Sequence, residues 1–265
     1  MAILFLGDCH GSWWHLVDTI DRALVNRPSA HPPWTAAIQV GDFGLYPMLM
    51  PILEARCRER RLPLPLHIID GNHEDHVWLH AQGPQVRARW AVLGLHVHAR
   101  GTVAELDGIP VGFLGGALHT DRAQKGSTAK GTTNWVTDRE ADRAATAFNA
   151  AGVELVVTHS CPHSLGVGMR GSHGLAPLVE RHIRAKGFDS GEIDDCGEPG
   201  LRRLYKHLRK APRVWVFGHF HAHHAATIAG TGFRCVGSID GTDRRERPIA
   251  YVLDPPTWAW HLIEL

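Results

Sequence analysis

Five short apolar runs in this 265-residue chain each end in a residue that can bind a metal, and that pattern narrows the fold sharply. Ala2 to Leu6 runs into Gly7-Asp8-Cys9-His10-Gly11, and Ala36 to Val40 runs into Gly41-Asp42. Leu66 to Ile69 leads to Asp70-Gly71-Asn72-His73-Glu74, and Leu155 to Val157 leads to Thr158-His159. Val214 to Phe217 leads to Gly218-His219-Phe220-His221. Apolar runs of this length, bounded by glycine or polar residues, read as buried strands of an α/β sheet. Ligands of such sheets gather beyond the carboxyl ends of the strands, where all five groups stand. Residues far apart in sequence are therefore expected to converge on one site, with enough ligands for two metal ions.

The intervening segments alternate with these runs. Trp13 to Arg27 carries Leu16, Ile20, Ala23 and Leu24 on one helical face. Pro51 to Arg61 reads as a second helix closed by Leu62-Pro63. Beyond residue 90 the reading is strands at Leu95 to Ala99, Val103 to Leu106 and Val111 to Leu114, with a hairpin signal at Asp107-Gly108. A polar loop, Ala117 to Asn134, precedes a helix over Asp138 to Ala150. Helices are predicted around Ala176 to Lys186 and Gly200 to Lys210. Late strands are predicted at Ala225 to Ile228, Phe233 to Val236, Ile249 to Leu253 and Trp258 to Ile263. Without a repeat or a low-complexity linker, residues 1–265 read as one α/β domain of two packed sheets with helices outside. A polar loop near 117–134 and a longer insertion near 160–198 are expected to border the site.

Composition excludes several classes. Hydrophobic residues at 44% and charged residues at 21% are ordinary for a soluble globular protein. No apolar stretch approaches the roughly 20 residues of a membrane helix, and Met1 to Leu6 lacks the basic leader of a signal peptide. The net charge of +1 leaves nucleic-acid binding to local patches. Five scattered cysteines, Cys9, Cys57, Cys161, Cys196 and Cys235, suit reduced thiols in the cytoplasm better than a disulfide framework. Of the 20 histidines, His31, His67, His80, His96, His98, His182, His207 and His261 lie outside the ligand groups and are expected on the surface or satisfied in the core.

The ligand types point to chemistry. Asp8 and His10 are two apart, as are His219 and His221, so on extended backbone each pair would point to one side. Carboxylate with imidazole suits manganese, iron, zinc or nickel more than calcium or magnesium. Asp42 offers two oxygens and can bridge two ions roughly 3.5 to 4 Å apart. Asn72 is a neutral ligand that keeps the charge of the site low. Glycines 7, 41, 71 and 218 permit close backbone approach just before the ligands.

The succession Gly7-Asp8-x-His10-Gly11, Gly41-Asp42, Gly71-Asn72-His73-Glu74, Thr158-His159 and Gly218-His219-x-His221 resembles the calcineurin-like metallophosphoesterases. The resemblance spans residues 3 to 221. It implies a four-layer αββα sandwich of two mixed β-sheets flanked by helices, and hydrolysis of phosphate monoesters or diesters. By the same resemblance Asp8, His10 and His221 would hold one ion, Asn72, His159 and His219 the other, and Asp42 would bridge. A metal-bound hydroxide would attack, and His73 would be the general acid. The cofactors implied are two divalent ions, manganese first.

One departure matters. Where the protein-phosphatase branch continues Gly-Asp-x-x-Asp-Arg-Gly, this chain has Leu45 and Tyr46, which leaves the partner of His73 unassigned. Arg122, Lys125 and Lys130, in the loop after Gly115-Gly116, are candidates for the missing phosphate-binding charge, with a solvated loop as the alternative. His163, Arg170 and His173 are weaker candidates of that kind. Arg202, Arg203, Lys206, Arg209 and Lys210 give one helix a basic face that a nuclease would use on DNA or RNA. Trp13, Trp215, Trp258 and Trp260 read as core, and Trp14, Trp78 and Trp135 as neighbours of the motifs. The partners expected are a phosphate-ester substrate, a nucleotide or nucleic acid among them, with no membrane and no evident obligate protein partner. A non-catalytic metal-binding scaffold is the contrary reading, opposed by the complete ligand set. Metal storage would need histidine tracts, which the chain lacks.

Overall fold

The computed structural model describes residues 2–119, 133–167, 197–239, 249–255 and 257–264. In chain order its first elements are β1 (Ala2–Leu6), α1 (Trp13–Val25), β2 (Trp34–Gln39), α2 (Met50–Glu59), β3 (Leu66–Ile68), α3 (His76–Ala81), α4 (Pro84–Val92) and β4 (Leu95–Val97). There follow β5 (Thr102–Leu106), β6 (Ile109–Leu114), α5 (Asp138–Ala151), β7 (Leu155–Thr158), α6 (Pro199–His207) and β8 (Val214–Phe217). Then come β9 (His224–Ile228), β10 (Thr231–Cys235), β11 (Ile249–Asp254) and β12 (Ala259–Glu264).

Two mixed six-stranded sheets result, ordered β12-β11-β1-β2-β3-β4 and β5-β6-β7-β8-β10-β9. The ligand-bearing strands β1, β2 and β3 are parallel neighbours in the first sheet, and β7 and β8 are parallel neighbours in the second. Alternation along each strand builds the layers. In β1, Ile3 and Phe5 face the opposite sheet and join a core with Phe113, Leu155 and Val216 of that sheet. Leu4 and Leu6 face outward and pack with Leu16 and Ile20 of α1 and Leu53 of α2. On the far side Trp215 and Phe217 meet Phe148 of α5 and Leu204 of α6. The order is therefore helix, sheet, sheet, helix, as expected. Each large apolar side chain buried this way contributes roughly 1.5–3 kcal/mol.

Differences from the sequence reading have local causes. Helices α3 and α4 have no counterpart in it: α4 has a single buried residue, Trp90, and so shows no apolar period. The α3 start is set by Asp75, whose carboxylate accepts from the Trp78 N–H at 3.0 Å. The basic helix ends at His207, and Leu208 is already extended, so Arg209 and Lys210 lie beyond it. Asp107 and Gly108 have φ of 53° and 78°, the left-handed pair that a two-residue hairpin requires. The helix predicted around 176–186 falls outside the described residues.

Candidate metal centre

The strand ends carry the site, and their loops lock together to shape it. The Cys9 and His10 N–H groups donate to the Asp42 carbonyl at 3.3 and 2.8 Å, joining the first loop to the second. Glu74 then ties the second loop to the third: its carboxylate accepts from Phe43 N at 2.7 Å, Gly44 N at 3.3 Å and Gly71 N at 2.7 Å. Burial and the nearby carboxylates of Asp42 and Asp70 push the Glu74 carboxyl up from its ordinary range. A Cβ on Gly71 would lie 2.1 Å from an Asp42 carboxylate oxygen, and one on Gly41 would lie 2.3 Å from the His159 ring. These glycines are required by close approach.

The predicted ligands come together in two groups. Asp8, His10 and His221 place their donor atoms within 4.8 Å of one another, and so do Asp42, His159 and His219. In the first group His10 Nε2 and His221 Nε2 are 3.0 Å apart, and His221 Nε2 lies 3.2 Å from Asp8 Oδ2. In the second, His159 Nε2 stands 3.3 Å from Asp42 Oδ2 and 3.2 Å from Asn72 Oδ1. The His159 Nδ1–H donates to the Val40 carbonyl at 2.8 Å, which leaves Nε2 directed into the site. Asp42 Oδ1 accepts from the Asn72 and His73 N–H groups at 2.8 and 2.9 Å. The other oxygen, Oδ2, faces the His159 ring instead.

Backbone conformation corrects the expectation drawn from the spacing of the pairs. His10, His219 and His221 have φ of 45°, 70° and 52°, so none is on extended backbone. His219 and His221 consequently enter different groups instead of sharing a side. Asp42 is left-handed too, at 53°. Such non-glycine residues cost about 1–3 kcal/mol each and concentrate at functional sites.

The donor set suits a cation. Asp8 Oδ2 is fully buried without an aligned hydrogen-bond donor, despite the His221 ring nearby. Burial alone would raise the Asp42 carboxyl, but the imidazoles of His159, His73 and His10 reverse this and hold it well below its usual range. His159 shows the converse: burial would lower it, yet the Asp42 and Asp8 carboxylates push it up to about 10. Beside it, burial and the His159 charge push His219 down to about 3. Packed carboxylates here draw positive charge, which a divalent ion would supply.

His73 is exposed at the mouth of the site. Its ring lies edge-on to His10 at 5.4 Å, and burial on its inner side lowers its pKa. Tyr46, one of the two departing residues, donates its hydroxyl to the His73 carbonyl and so steadies the backbone of that loop. Leu45 is fully buried. Sequence reasoning misses His119, half-buried just past β6 with its ring edge-on to His73 at 5.4 Å. The available signal is Gly115-Gly116, a sixth strand end followed three residues later by an imidazole.

Other candidates sort out by their neighbours. Asp70, His76 and His80 could also hold an ion by geometry. However, the buried Arg100 guanidinium already lies 2.7 Å from Asp70 Oδ2, and a cation there would face a cation. The basic charges are partly neutralised within the chain: on α6 Arg203 pairs with Asp142 at 2.7 Å, and beyond it Lys210 and Arg213 pair with Glu154. Trp78 packs on Trp90, and Trp14 lies under Arg56. Trp13 and Trp215 are buried, whereas Trp258 and Trp260 are only half-buried against the inner core. His163 is described, but Arg122, Lys125, Lys130, Arg170 and His173 lie outside the described residues.

Residues 1–223 match the model of the calcineurin-like phosphoesterases. The chain belongs to that family. As a calcineurin-like phosphoesterase it is a metal-dependent hydrolase of phosphate esters. No curated protein matches the chain. Among solved structures, a Staphylococcus aureus protein assigned as a 5′-nucleotidase, in complex with α-ketoglutarate, shares the fold with a TM-score of 0.52 at 12% identity. That likeness covers 99% of this chain but 52% of the other, so the phosphoesterase spans about half that protein's length. An archaeal phosphodiesterase aligns over 100% of both chains at 11% identity and TM-score 0.44. A phosphopantetheinyl hydrolase from Mycobacterium tuberculosis aligns over 92% of this chain and 93% of its own, at 18% identity and TM-score 0.43. No helix among the described residues of the phosphoesterase is long and apolar enough to cross a membrane.

Proposed function

We propose that this phosphoesterase works with two divalent ions, manganese fitting the donor set best, and that His73 protonates the leaving oxygen of the substrate. One observation carries the reading. Donors from four strand ends meet in two groups, Asn72 from a fifth stands beside the second, and a buried Asp8 oxygen among them lacks an aligned donor. Asp8, His10 and His221 would hold one ion, and Asn72, His159 and His219 the other, with Asp42 serving both. When bound, such ions polarise a phosphoryl oxygen as Lewis acids.

The chain's own residues do the rest. The Glu74 clamp and the two amides on Asp42 Oδ1 hold the ligand loops in place before substrate arrives. His73, at the mouth, offers a ring nitrogen to the departing oxygen. His10 and His221 are exposed beside it, so the substrate enters on that side. The buried thiols of Cys9 and Cys57 support a reducing compartment such as the cytoplasm.

The reading is tested with manganese-loaded protein on a nitrophenyl monoester, its diester, nucleotides and an oligonucleotide. Turnover of the oligonucleotide above all others would replace a small-ester preference with a nuclease. A general acid contributes typically about 10²–10⁴-fold and matters most for poor leaving groups. His73→Ala should therefore slow alkyl phosphate esters by that order, lose far less on nitrophenyl esters, and retain its metal. An equal loss on both ester types would remove the acid role.

A further inference from the structure

We infer that His119 is a positioning residue that orients the Asn72 amide, turning its oxygen toward the metal position. This rests on the ligand assignment proposed above. The backbone of Asn72 is already fixed, because its N–H donates to Asp42 Oδ1 at 2.8 Å. What remains free is rotation of the side-chain amide, whose oxygen and nitrogen are nearly the same size. Only the oxygen can ligate a cation; an NH₂ group presented there would repel it. The choice must therefore come from a partner on the other side of the amide.

His119 is that partner. Its Nδ1 lies 3.2 Å from Asn72 Nδ2, while Asn72 Oδ1 lies 3.2 Å from His159 Nε2, on the side of the buried ligand group. An amide nitrogen can only donate, so His119 Nδ1 accepts and its proton sits on Nε2. The same ring stands edge-on to His73 at 5.4 Å and 88°, so one side chain borders both the ligand and the proposed acid. No strand spacing links His119 to Asn72; the two meet because β3 and β6 end beside each other, with Gly116 N donating to the Asp70 carbonyl at 2.8 Å.

The test is manganese affinity measured by titration calorimetry against a chelator competitor, on wild type, His119→Ala, His119→Asn and Asn72→Ala. Outer partners of metal ligands are typically worth about 10–100-fold in affinity. His119→Ala should lose that much at one of two sites. In His119→Asn the amide oxygen occupies the place of Nδ1, and affinity should return to within a few-fold of wild type. Cooperative thermal unfolding of each variant, followed by circular dichroism, confirms that they are folded. Two tight sites in wild type, with His119→Ala unchanged or His119→Asn no better than Ala, would overturn the inference alone. Fewer than two sites in wild type, or an unchanged Asn72→Ala, would overturn the ligand assignment and the inference with it.

Discussion

Among the described residues two clusters of packed histidines differ in chemistry, and the one at the strand ends has the makings of a site. Beside Phe113, His67 stacks on His96 at 4.7 Å and hydrogen-bonds His98 at 2.8 Å, and His98 lies flat on Phe113 at 3.8 Å. No carboxylate joins that group among the candidate metal clusters of the described residues. Burial drives His67 down to about 4 and His98 down to about 3, so these rings stay neutral and behave as flat, polar-edged core. At the strand ends the same residue type meets Asp8 and Asp42, and His159 moves the opposite way, to about 10. Clustered imidazoles alone do not suit a cation; buried carboxylates among them do where no arginine already neutralises them, because negative charge is left for the cation.

The largest effect should come from making the second cluster resemble the first. Asp42→Ala removes the carboxylate proposed to be shared and leaves the Asn72 and His73 N–H groups without their acceptor, so activity should fall about 10³-fold or more. Elemental analysis should find less metal in Asp42→Ala than in Asp8→Ala, and equal retention would sink the sharing of Asp42.

A pH titration of stability reads the carboxylate-free cluster. His67 and His98 have folded pKa values below the ordinary 6.5, so the unfolded chain takes up more protons between about pH 6.5 and 4. Their contribution is complete above pH 6.5 and should be lost progressively as pH falls toward 4. Denaturant unfolding of wild type and His98→Phe checks this: the variant should show a shallower decline across that window. Identical pH profiles would mean the pair is not neutral in the fold.

The smallest difference lies inside the metal centre. His159 is buried and its far nitrogen is held by Val40, whereas His10 is exposed at the mouth. His10→Ala should lose about 10–100-fold in manganese affinity and regain activity in excess manganese. His159→Ala should not be restored, since the deletion also leaves Asp42 and Asp8 with uncompensated buried charge. Equal rescue of both would erase the distinction between a deep and an outer ion.

Much of this is legible in the chain. Ala2 to Leu6, Leu155 to Val157 and Val214 to Phe217 are too short and too apolar to be anything but buried strands, and the groups after them have to meet at one end of the sheets. The Asp107-Gly108 turn can be read because φ above zero demands such residues. Helix α4 cannot, because a single buried Trp90 leaves no period. The backbone at His10, His219 and His221 cannot either: left-handed conformation at a non-glycine residue is imposed by the surrounding fold and carries no local signature.

The sequence by itself therefore determined which residues could ligate and that they would stand at strand ends, since hydrophobic period and residue chemistry are local properties. Tertiary structure alone decided what shapes and supports the two groups. It turned His10, His219 and His221 off extended backbone, occupied one oxygen of Asp42 with two backbone amides, and brought His119 to Asn72. Those outcomes depend on distances between loops of different strands, which pairing and packing of the sheets set and no stretch of neighbouring residues encodes.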